Sequence, residues 1–208
     1  MISRISSQIR NQKNHQTNKI MKIQNFFKMA FAAFIFLSAN LAFAQMEKTK
    51  MVGGAEMYPS KNIVENAVNS NDHTTLVAAV KAAGLVETLQ GAGPFTVFAP
   101  DNMAFEKLPK GTVETLLKPE NKGQLQAVLT YHVVAGKMGS KEIAAAIKKG
   151  DGKAVLTTVQ GGKLTAWMKG KDLYITDENG GESKVTIADV WQSNGVIHSV
   201  DTVVLPKM

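Results

Sequence analysis

The chain of 208 residues contains no cysteine. That single absence removes disulfide staples, thiol nucleophiles, cysteine-ligated metals and a lipid-modified cysteine anchor. Arginine is nearly absent too, confined to Arg4 and Arg10. It is the side chain best suited to reading bases and phosphates, so beyond the first 44 residues a nucleic-acid partner is not expected. The formal net charge of +7 is also local. The first 44 residues carry Arg4, Arg10, Lys13, Lys19, Lys22 and Lys28 and no acid, which leaves 18 lysines against 17 acids in the remainder. No apolar run reaches the roughly 20 residues that a membrane-spanning helix needs.

Those first 44 residues read as a secretory leader. Lys22 and Lys28 give a basic start, Met29 to Leu37 is a short apolar run, and Ala42-Phe43-Ala44 is an A-x-A cleavage pattern. Cleavage after Ala44 is predicted, with Gln45 as the new N-terminus and a secreted or periplasmic product that has no stable membrane insertion. Met21 could begin such a leader by itself, which makes residues 1–20 either an over-extended N-terminus or a genuine disordered extension. Residues 45–57, with Gly53-Gly54 and little apolar periodicity, read as a flexible spacer.

From Tyr58 to Lys207 the pattern changes once. Its first half is helical. Ile63, Val64, Ala67 and Val68 share a face; Asp72 is placed to cap a second helix ending at Gly84; Asp101 is placed to cap a third after the β-rich run Pro94–Ala99. Ser140 to Gly150 has a serine at its start, Glu142 in the first turn and Lys148-Lys149 in the last, as the helix dipole favours. The second half is a meander: Ala154–Val159, Lys163–Met168, Leu173–Thr176 and Val185–Ile187, divided by glycine-rich turns, then Val196–Leu205. Helices first and strands afterwards make an α+β fold in one domain, 58–207.

Little of this chemistry points to catalysis. The sequence has no phosphate loop, no G-x-G-x-x-G between strand and helix, no H-E-x-x-H and no G-x-S-x-G elbow. His198 and Ser199 are strand neighbours and point to opposite faces, so they cannot pair locally. Asp177 and Asn179 lack the closing glutamate of a calcium loop and fit a hairpin turn. Met46, Met51 and Met57 are irregularly spaced. Trp167 and Trp191 suit either a sugar-binding surface or packing within the sheet.

Three separated segments carry a resemblance. Thr96 to Phe105, containing Phe98, Pro100, Asp101 and Phe105, resembles the first sequence box of fasciclin (FAS1) domains. Tyr131-His132 resembles the family's Tyr-His motif, and Asn194-Gly195-Val196-Ile197-His198-Ser199-Val200-Asp201 with Val204-Leu205-Pro206 its second box. The resemblance implies the FAS1 fold, a wedge-shaped β-sandwich with helices packed alongside. It implies an adhesion or interaction module with no catalytic activity and no cofactor. The partner would be a cell-surface or matrix protein or a polysaccharide, bound by a monomer. Family position makes Asp189, Val190, Trp191 and Tyr131 the candidate partner contacts, the first three in an expected exposed connection. The strand end at Pro100 and the cap at Asp101 bring Phe98 and Phe105 into one core, and His132, Asn194, Gly195 and His198 read as structural. The alternative is a carrier of a haem-like or apolar ligand using Tyr131, His132 or the methionines.

Overall fold

The computed structural model describes residues 48–207. The leader, its cleavage pattern, Gln45 and Met46 lie outside the described residues. The first element is a hairpin, β1 (Lys50–Val52) and β2 (Ala55–Met57), turned at Gly53-Gly54. Val52 and Met57 are buried in a core with Ile63, Val97 and Ile197. The expected spacer over 45–57 is therefore corrected for this stretch. Two apolar side chains suffice to fix it, because the hairpin places both on the core side.

Helices α1 (Ile63–Ala67), α2 (Thr74–Ala83) and α3 (Val86–Gln90) follow. Asn62 and Glu65 close a capping box at the start of α1, and Gly84 ends α2 in the left-handed conformation at φ 70°. Asp72 does not cap α2. It lies in a single 3₁₀ turn, and the side chain of Asn102 accepts from Thr75 N–H at 3.0 Å instead. Strand β3 (Phe95–Pro100) then leads to α4 (Asn102–Glu106), α5 (Thr112–Leu116) and α6 (Lys122–Tyr131). Asp101 caps α4 as expected, accepting from Ala104 N–H at 2.8 Å. Phe98 and Phe105 part company, however. Phe98 enters the main core, while Phe105 packs with Ala104, Val128 and Val203 on the other side of the strand-to-helix corner.

The remaining elements are β4 (Val133–Ala135), α7 (Ser140–Lys149), β5 (Lys153–Thr157), β6 (Lys163–Lys169), β7 (Asp172–Thr176), β8 (Glu182–Gln192) and β9 (Gly195–Val200). Seven strands form one mixed sheet in the order β4-β3-β9-β8-β7-β6-β5. Only β3 and β9 run parallel, pairing Phe95 with Gly195 through Pro100 with Val200. The sheet nearly closes on itself, because Val134 bridges Thr158 and Val159 N–H donates to Val133 C=O at 2.7 Å. Helices gathered in the first half and a meander in the second make this the α+β fold expected from the sequence. The final apolar stretch is strand only to Val200; beyond it the chain runs as an irregular tail. Asp177 anchors that tail, accepting from Leu205 N–H with one oxygen and from Asn179 and Gly181 N–H with the other. The hairpin reading of this turn therefore has a geometric basis.

Candidate functional site

Strand β8 is longer than its sequence pattern suggests because it is bulged. Register shifts fall between Val185 and Ile187 and between Ile187 and Val190. Asp189 sits in the second irregularity at φ 58°, a left-handed conformation that aspartate tolerates better than most side chains. The bulge aims its carboxylate at α7. One oxygen accepts from Ser140 N–H at 2.6 Å and the other from Ser140 Oγ at 2.5 Å. Ser140 is thus the first helical residue and no cap, and Asp189 satisfies the helix end from 49 positions away.

The same bulge engages His198. Asp189 N–H donates to His198 Nδ1 at 3.3 Å, and Nε2 donates to Met138 C=O at 2.9 Å. The ring is wholly buried and stacks on Phe98, with centroids 5.6 Å apart. His132 is held the opposite way round. Its Nδ1 donates to Val128 C=O at 2.8 Å, and its Nε2 accepts from Val204 N–H at 3.2 Å. Burial pushes the His132 imidazole down to about 4 from its ordinary 6.5, against a partial opposing effect from the Val128 carbonyl and Asp177. Burial lowers His198 as well, against Met138 and Asp189. Both rings are neutral, with both nitrogens occupied.

This geometry corrects the proposed contact set. Val190 is buried among Val97, Val133 and Ile197. Asp189 belongs to a bulged strand, not to an exposed connection, and its oxygens are spent on α7. Tyr131 is fully buried, and its hydroxyl donates to Lys163 C=O at 2.7 Å and accepts from Glu178 N–H at 3.2 Å. Burial raises its phenol pKa. Trp191 remains half-buried, with Lys137 Nζ 4.8 Å above its ring and its indole against Gly139. Neither Tyr131 nor His132 presents a free lone pair to a haem iron, which leaves the carrier reading without two of its candidate ligands.

Asn194 and Gly195 serve the turn between β8 and β9. Asn194 Oδ1 accepts from Ile63 N–H at 3.0 Å, and its Nδ2 donates to Leu89 and Gly91 carbonyls, both at 2.8 Å. One amide thereby ties the turn to α1 and α3. A Cβ on Gly195 would stand 2.2 Å from Phe95 C=O, so only glycine admits the parallel β3–β9 approach.

Sequence reasoning missed three features. His73 is buried between Ser70 Oγ at 2.8 Å and Ser199 Oγ at 3.3 Å, and burial lowers its pKa. The Ser70-x-x-His73 spacing was the only available sign. This histidine meets Ser199 where His198 cannot, but all three side chains are buried, so the contact serves packing. Second, the outer face of β5, β6 and β7 carries Trp167 stacked on Tyr174 at 5.0 Å, with Trp167 Nε1 donating to Thr176 Oγ1, and Val155 62% exposed. Third, a cavity of about 90 Å³ lies between α1–α3 and the β3–β9 region of the sheet, lined by Ile63, Leu76, Val80, Leu89, Phe95 and Ile197 among others. Among the described residues no group of three or more His, Asp and Glu is placed to hold a metal, and no helix is long and apolar enough to cross a membrane.

Residues 71–206 match the fasciclin domain family. The chain is 44% identical over 182 residues to Protein sll1483 of Synechocystis sp., covering 86% of this chain and 94% of that one. It is 35% identical over 148 residues to the transforming growth factor-beta-induced protein ig-h3 of Sus scrofa, covering 71% of this chain and 20% of the larger protein. Its fold is similar to a FAS1 domain pair from the insect cell adhesion molecule fasciclin I, with a TM-score of 0.62 at 16% identity over 70% of this chain and 51% of that chain.

Proposed function

Because this chain belongs to the fasciclin domain family, whose members are adhesion or extracellular interaction modules and generally non-catalytic, we propose that it is an exported, monomeric interaction module that binds a cell-surface or matrix component. The basic, apolar and A-x-A segments of residues 1–44 support export with cleavage after Ala44. The observation that carries the binding surface is the outer face of β5–β7. Alternating burial leaves Lys153, Val155 and Thr157 outward on β5, and Trp167 meets Tyr174 across β6 and β7. An aromatic pair set among threonines and lysines suits a sugar chain or a protein surface, since both exploit flat rings flanked by hydrogen-bonding groups.

The test measures retention of the purified mature protein on envelope and culture-fluid fractions of its native host. Trp167→Ala and Tyr174→Ala should abolish retention with little change in melting temperature. Trp191→Ala is the control for the family position on β8. Loss with Trp191→Ala alone would move the surface to the Lys137–Trp191 edge. Retention unchanged in all three variants would refute both.

A further inference from the structure

The cavity beneath α1–α3 differs from the rest of the interior in two ways. Its lining is almost entirely carbon, and much of that lining remains wet. Val64, Leu76, Val77, Val80, Leu85 and Val86 are only partly buried, although each faces the cavity. Protein cores are normally packed to crystal density, and side chains of this kind are normally covered. The polar groups nearest to it have partners within the protein. His73 is held by Ser70 and Ser199, and His132 by Val128 and Val204. A ligand inside the cavity would therefore meet no buried unsatisfied side-chain donor or acceptor, and a polar one would lose its own hydration without compensation.

About 90 Å³ is spread along a lining that follows α2 through Leu76, Val77, Val80 and Lys81, roughly 8 Å of helix axis at 1.5 Å per residue. It then continues to Leu85 and Leu89. A lining that runs along α2 and on past its end offers an extended apolar path to a flexible chain. Charge marks one end. Lys81 is exposed and lines the cavity. Lys122 Nζ lies 3.2 Å from where a Cβ on Gly84 would stand, three residues further on. Glu87, between the lining residues Val86 and Thr88, is exposed and takes no part in the lining.

We propose that this cavity binds a single-chain anionic amphiphile of the fatty-acid class, its hydrocarbon tail between α1–α3 and the sheet and its carboxylate beside Lys81. The assignment is independent of the adhesive surface, which lies on β5–β7. The experiment titrates the purified full chain with sodium dodecanoate below its micelle concentration, and separately with 1-dodecanol, by calorimetry. Dodecanoate should bind at one equivalent and raise the melting temperature. Val80→Phe, which fills the cavity with carbon, should weaken both ligands at least about tenfold, because the tail loses its place. Lys81→Glu, an exposed change that leaves the fold intact, should weaken dodecanoate about two- to fivefold and leave dodecanol unchanged, as a solvent-screened ion pair would. Absence of saturable binding to the wild-type chain overturns the proposal, as does undiminished binding by a folded Val80→Phe variant. Equal response of both ligands to Lys81→Glu overturns the anionic headgroup.

Discussion

The two flanks of the sheet are built to different standards. On the β5–β8 flank, α7 lays Ile143 and Ile147 over Leu156, Leu164, Ala166 and Ile175, and Ile143, Leu164, Ala166 and Ile175 are fully buried. On the β3–β9 flank, three helices of five, ten and five residues cover the sheet incompletely and leave the cavity. The first flank is a single amphipathic helix on a regular meander, where strand alternation and helical periodicity agree. The second assembles short helices that cannot bury a wide stripe each. Stability is therefore concentrated on one side of the sheet, and room for a ligand on the other.

The sharpest way to break this comparison is to truncate one leucine on each flank. Leu164→Ala should cost about 2–5 kcal/mol. Leu76→Ala, already half-exposed beside a void, should cost roughly half as much or less. Urea denaturation of both variants measures it, and equal losses would erase the distinction. A pH titration of stability tests the buried imidazoles next. His132 has its folded pKa lowered, so the unfolded chain binds the extra proton first. Its stabilising effect is complete above pH 6.5, declines as pH falls, and is gone near pH 4. The loss over that window is on the order of 3 kcal/mol. His73 and His198 shift in the same direction and steepen the fall. His132→Ala should flatten the profile while lowering its maximum.

Asp189 joins the two flanks, since it leaves a strand beside the β9 core to hold the start of α7. Asp189→Ala should cost about 1–2 kcal/mol through the lost cap and the left-handed backbone. Asp189→Asn should cost less, because asparagine tolerates that backbone and still accepts one bond. Thermal melts of both variants distinguish a structural carboxylate from a contact residue, which would leave the melt unmoved. The smallest effect belongs to the hairpin β1–β2. Limited proteolysis should spare Lys50–Met57, because Val52 and Met57 are buried. Cutting near Tyr58 would restore a spacer there.

What the sequence revealed and what it hid divide along contact range. The cap at Asp101, the stop at Gly84 and the meander turns rest on residues within a few positions, and these were legible, as was the burial of His132 and His198 in apolar segments, though not their distant partners Val204 and Met138. Asp189 capping α7, Asn102 capping α2 and Asn194 holding α1 and α3 join residues 27 to 131 positions apart. No local pattern records such pairs. The bulges of β8 break the two-residue period just where the candidate contacts lie, so Asp189-Val190-Trp191 looked like a connection. The cavity was invisible for a related reason. Leu76 and Val80 keep helical spacing whether or not anything fills the space they face.

The parallel pairing of β3 with β9 also sets the order in which the molecule can be completed. Phe95 and Gly195 are a hundred residues apart, yet β9 lies in the interior of the sheet, between β3 and β8. Until the last strand emerges from the ribosome, β3 and β8 have no common neighbour, and the nascent chain holds a helical segment and a meander without their junction. Such long-range closure is slow and leaves strand edges open while it waits. For the export proposed above, that delay keeps the chain from closing its sheet until synthesis is nearly done. A chain ending before Gly195 would lose the centre of its sheet, not an edge.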